Sequence, residues 1–179
     1  EVIKMRKANE NERVSVEMVK EIVVNDLNTG KENRICIEKL LSGKDEWLQR
    51  RNNLCVTYNA NDNKGKHYSL MIGWDLLQLS KETQIFLVDT EIAHVARGHM
   101  TMGRFRDNYS KYLRNDPTFN KAADLYVVYK GHQTYTKELI DRIFSELDTI
   151  PMSRKDKKAY AMRRMHMLKI VECLEKRDK

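Results

Sequence analysis

The chain of 179 residues has little of what punctuates or staples a fold. Cys36, Cys55 and Cys173 are its three cysteines, an odd number with no C-x-x-C pair, which excludes a disulfide framework and a zinc ribbon. They read as reduced, largely buried thiols. Two prolines and seven glycines mark no interdomain linker and exclude a collagen-like chain. No stretch of about 18 apolar residues is present, so no membrane-spanning helix is expected. No repeat of about 20 to 50 residues is visible, which excludes a solenoid. One domain over residues 1–179 is the expectation.

Charge is what the chain has instead. Charged residues make up 33% and hydrophobic ones 41%, which implies a modest core under a heavily charged surface. The 33 Lys and Arg exceed the 26 Asp and Glu by seven. Residues 154–179 hold ten basic and four acidic side chains, so +6 of the total +7 lies there. Arg154, Lys155, Lys157, Lys158, Arg163 and Arg164 are the candidate contacts to nucleic acid or to an acidic protein. A solvated basic helix is the commoner meaning of such a run. Beside these cations, Met162 and Met165 point away from the stripe formed by Tyr160, Met167, Ile170, Val171 and Leu174. Methionine is adaptable, so that face suits either an irregular core or a partner. Tyrosines 109, 112, 126, 129 and 135 do not alternate with basic residues, a weak signal for stacking on single-stranded nucleic acid.

Periodicity predicts an α+β fold, mainly α. Ser15 precedes V-E-M-V-K-E-I-V-V-N-D-L, whose apolar spacing predicts a helix that stops at Asn28-Thr29-Gly30. A second short helix is predicted from Ile37 to Leu41. Residues 54–58 and 67–73 flank a polar loop and predict a β-hairpin. Helices are then predicted from Ser80 to about Met100, from Asp116-Pro117 to Lys130, over Lys137–Leu147 and over Arg154–Lys176.

The helix from Ser80 carries the residues with chemistry. At about 100° per residue, Thr90, Glu91 and Gly98 lie within about 60° of His94, and Val88, Ile92, Val95 and Ala96 lie opposite. Side chains four apart on a helix can share one metal ion, as the two imidazoles of H-E-x-x-H do. Here Thr90-Glu91-Ile92-Ala93-His94 has Thr in the first His position. A lone helical His beside a Glu is more often a hydrogen-bonded structural pair than a ligand.

The stretch from Thr90 to His99, together with Asp116-Pro117 and Phe119-Asn120-Lys121-Ala122-Ala123-Asp124, resembles a family of bacterial and phage zincin-like metallopeptidase domains. That family reads H-E-x-x-H, a small apolar run and G-H, then roughly D-P-x-x-W-N-x-A-A-D. The resemblance covers about residues 50–130 and implies a zincin-like core, with the hairpin ahead of the active-site helix and extra helices behind. It implies His94 and Asp124 as metal ligands, Glu91 as general base on a metal-bound water, zinc as the cofactor and a cytoplasmic setting in a bacterium or phage-infected host. Two positions depart from the family pattern: Val128 stands where an Asn is usual, and Thr90 stands where the first ligand His belongs. Two ligands fall short of the three a catalytic zinc needs. His99 lies about 140° from His94 and joins it only if the helix breaks at Gly98, and His132 follows the helix of Asp124. Without metal, Asp124 needs a cation such as Arg97 as its partner.

The leading expectation is therefore a degenerate metallopeptidase-like domain without peptidase activity or cofactor, which binds a protein or nucleic acid and no membrane. Its rivals are a metal-dependent peptidase with His99 or His132 as substitute ligand, and a nucleic-acid-binding protein that uses the basic C-terminal helix.

Overall fold

The computed structural model describes residues 16–40, 54–62, 65–101, 117–130 and 134–179. They form an α+β structure, mainly helical, with one four-stranded sheet. The packing divides the chain into two compact units between Ser80 and Lys81. The stretch covered by the family resemblance runs across that division.

The first unit holds the sheet. Strands β1 (Val16–Asn25) and β2 (Glu32–Leu40) pair antiparallel, β2 pairs parallel with β4 (Gly65–Ile72), and β4 pairs antiparallel with β3 (Cys55–Asp62). The order is β1-β2-β4-β3. The hairpin of β3 and β4 is as predicted, with Cys55 opposite Ile72. A one-turn helix, α1 (Trp74–Leu77), closes the unit.

Two predicted helices are strands instead. Val16, Val19, Ile22 and Val23 mimic a helical stripe, but the run is rich in β-branched residues, which fit a pleated surface. A bulge between Met18 and Lys20 shifts the side-chain phase by one residue, so the period of two is not legible across the strand. The stop signal at Gly30 serves a hairpin. Its φ of 70° closes a turn in which the Asp26 carboxylate accepts hydrogen bonds from the backbone N–H of Asn28 (2.8 Å) and Thr29 (3.0 Å). Residues 37–41 contain the end of β2, a strand with neighbours on both sides, which explains the unbroken buried run from Ile35 to Glu38. Val16, Leu40, Val56 and Met71 form an apolar cluster on one face of the sheet. Glu38 is buried in β2 and accepts a hydrogen bond from Ser69 Oγ at 2.8 Å, as a buried carboxylate requires. Cys36 and Cys55 are buried as expected, whereas Cys173 is exposed.

The second unit is helical: α2 (Lys81–Ala96), a 3-10 turn (His99–Thr101), α3 (Pro117–Lys130), α4 (Lys137–Asp148) and α5 (Arg154–Arg177). Thr136 caps α4 by accepting from the Leu139 N–H, and Ser153 caps α5 by accepting from that of Asp156. Ile140, Ile143, Phe144 and Leu147 make the buried stripe of α4, and Met167, Val171 and Leu174 that of α5. Helix α3 packs against both α2 and α5, and this packing positions the site. No helix among the described residues is long and apolar enough to cross a membrane.

Candidate functional site

The site lies within the helical unit, where α2, α3 and α5 bring a set of buried polar side chains together. Phe86 is its apolar floor. The Phe86 ring is fully buried and stands edge-on to Tyr135 and Phe144, with centroids 5.9 and 5.6 Å away. One turn later Thr90 is buried, and its hydroxyl donates back to the Phe86 carbonyl at 2.9 Å. That bond uses the hydroxyl's proton, and the oxygen that remains is a neutral, weak ligand for zinc.

His94 is 3% exposed and His99 5%. Helix α2 ends at Ala96, and Gly98, with φ 73°, reverses the chain so that His99 turns back onto His94. Their Nδ1 atoms are 2.8 Å apart, a hydrogen bond in which one imidazole donates and the other accepts. The break at Gly98 thus brings together two histidines that an unbroken helix would hold about 140° apart. Burial holds the His94 pKa well below the usual histidine value, helped by His99 and by the positive charge of Arg163, while a hydrogen bond with Asn120 acts the other way. His94 is therefore neutral at pH 7.

Asp124, on α3, is completely buried, and its partner is Arg163 of α5 rather than Arg97, whose side chain is exposed. Arg163 Nε donates to Oδ2 at 3.0 Å and Nη2 donates to Oδ1 at 2.7 Å, so both carboxylate oxygens are engaged in a two-pronged pair. The guanidinium also lies over the rings of Phe86 and Tyr160, 5.8 and 5.6 Å from their centroids. Burial works against its charge, but Asp124 outweighs that, with Tyr160 and Glu91 adding to it, so the Arg163 pKa rises above its ordinary value. Glu91 is half-buried and close enough to contribute to the field at Arg163.

Glu91, His94, His99 and Asp124 thus belong to one cluster, and the positive group at its centre is Arg163. Grouped by sequence with the basic surface, Arg163 has a side chain only 14% exposed. Arg164 pairs with Asp141 at 2.6 Å, half-exposed. Arg154, Lys155, Lys157 and Lys158 stand exposed on the first turns of α5. His132 lies outside the described residues. Among the described residues, no three His, Cys, Asp or Glu side chains are grouped as a metal ion would need. Asn120 is the member that the sequence reading left without a role. It stands one helical turn before Asp124, a spacing that places both on one face of α3.

Asp89, beyond this cluster on α2, accepts a hydrogen bond from the Tyr135 hydroxyl at 3.1 Å. Burial raises its pKa, against the pull of that bond and of Lys130. The pair ties the segment just before α4 to α2.

Comparison with protein-family models, with curated proteins and with solved structures finds no match for this chain.

Proposed function

We propose that this chain is a zincin-like domain that has given up catalytic zinc and acts by binding rather than by hydrolysis. The observation that carries the reading is the two-pronged ion pair between Arg163 and Asp124. Zinc would need that carboxylate, a second and third protein ligand and a water. Here a guanidinium takes both oxygens, Thr90 offers only a neutral hydroxyl, and His94 is engaged by both His99 and Asn120. The residues present do not fit the metal as they are arranged. A fixed cation from α5 supplies the positive charge that the buried carboxylate requires. Glu91, the family's general base, then has no metal-bound water to activate.

A second reading, a peptidase with His99 as substitute ligand, draws on one observation: the turn at Gly98 sets His99 beside His94. It requires Asp124 to exchange Arg163 for the metal. Incubation with a mixed peptide library in the presence of added zinc separates the two. The binding reading predicts no cleavage above that of the Glu91→Gln variant. Cleavage that a chelator stops and Glu91→Gln abolishes would establish the peptidase.

A further inference from the structure

A groove of about 320 Å³ runs between α3 and α5. Ala159, Met162 and Met165 give it an apolar middle, and the two methionines are 51% and 59% exposed. Lys121, Lys155, Lys158 and Lys169 surround that middle, and no acidic side chain among the described residues lines it. Along α5 the pattern is ordered. Lys155 and Lys158 come first, Met162 and Met165 follow, and Lys169 closes the row at helical spacing, so the stripe spans roughly 21 Å at 1.5 Å per residue. The floor touches Asn120 and Arg163, and Arg163 is already neutralised by Asp124, so the uncompensated charge belongs to the rim lysines.

We infer that this groove is the docking site for an acidic protein segment whose central turn carries one or two large aliphatic or aromatic side chains, flanked by Asp or Glu on both sides. Exposed methionines adapt to such anchors because the thioether side chain is flexible and polarisable. The cavity lies at the lower end of the range that encloses a ligand. The rim charges complement the flanks and give the approach a salt-dependent rate. Nucleic acid fits less well, since among the described residues no Phe, Tyr or Trp lines the groove, His166 is its one ring, and the apolar middle interrupts a phosphate track. The adjoining side of α5, which shares Met165, offers a cavity of about 450 Å³, but there Lys157 lies near Asp148 and Arg164 pairs with Asp141, so its charges are internally matched. The inference rests on the binding reading above and names the class of partner.

The test uses the full chain with ¹³C-labelled methionine methyl groups. The probe is a synthetic helical peptide of about 15 residues, the length of the stripe, with Leu and Phe in its central turn and Glu at both ends. The methyl resonances of Met162 and Met165 are expected to move. Affinity is expected to fall about tenfold when the peptide's Glu residues become Gln, and again in a Met162→Ser/Met165→Ser variant with an unchanged circular dichroism spectrum. Failure of the peptide to move either resonance, or equal binding to the double variant, overturns the groove. Tighter binding of a thymidine oligonucleotide of equal charge at the same resonances overturns the choice of partner. Chelator-sensitive cleavage of a peptide that does move them leaves the groove standing and overturns the binding-only reading.

Discussion

Arg163 keeps a full charge among Phe86, Tyr160 and the buried carboxylate of Asp124, and each of those contacts depends on the others. Removing one partner of such a pair leaves an uncompensated charge in the core, so Arg163→Met is expected to cost about 3–5 kcal/mol of stability. Adding Asp124→Leu should recover most of that loss, because an apolar pair of similar volume no longer has a charge to desolvate. Urea unfolding of the three variants checks the coupling, and a double variant as unstable as Arg163→Met would contradict it. His94 gives a second expectation at this scale. Its folded pKa lies below the unfolded value of 6.5, so the unfolded chain binds the proton first. The stability it contributes is complete above pH 6.5 and falls as the pH drops from there toward the folded pKa, by at most about 1.4 kcal/mol per pH unit. Thermal melts between pH 7.5 and 5 should show that slope, and His94→Gln should flatten it. An equal slope in the variant would assign the effect to another group. The sequence singles out Glu91 and His94 by their spacing and Asp124 through the family resemblance, but Arg163 stands in a basic run beside Arg164 with nothing to separate the buried guanidinium from the solvated one. Only the fold distinguishes them.

The elements with clear start and stop signals are the ones the sequence predicts well. Asp116-Pro117 announces α3, which runs from Pro117 to Lys130, and α4 and α5 end one residue beyond their predicted Leu147 and Lys176. Strands β1 and β2 are the counterexample. A left-handed glycine ends helices and closes hairpins alike, and a bulge erases the alternation that would have revealed β1, so local pattern leaves its class undecided until β2 pairs with it. The same ambiguity works in favour of the site at Gly98. Its positive φ stops α2 and also aims His99 at His94, a pairing that the angular argument made conditional on a break at that residue. Helix α5 has two distinct faces. Met167, Val171 and Leu174 hold it to its neighbours, while Met162, Met165, Lys155, Lys158 and Lys169 are exposed.

At the scale of the molecule, every described member of the polar cluster lies beyond Lys81, in the helical unit, although the resemblance that first pointed to it starts near residue 50. Most of the chain's net charge lies there too, on α5, whose Arg163 reaches inward while its other cations face outward. One helix therefore supplies both the buried cation and the basic surface, and on the function proposed above this ties the absence of catalytic zinc to the binding face. That link rests on the charge at Asp124 coming from the protein itself. Elemental analysis of the full chain, expressed with zinc in the medium and purified without chelator, tests this most directly. The account predicts a zinc content far below one per chain, unchanged in Asp124→Ala and His94→Ala. Close to one zinc per chain, lost in both variants, would contradict it.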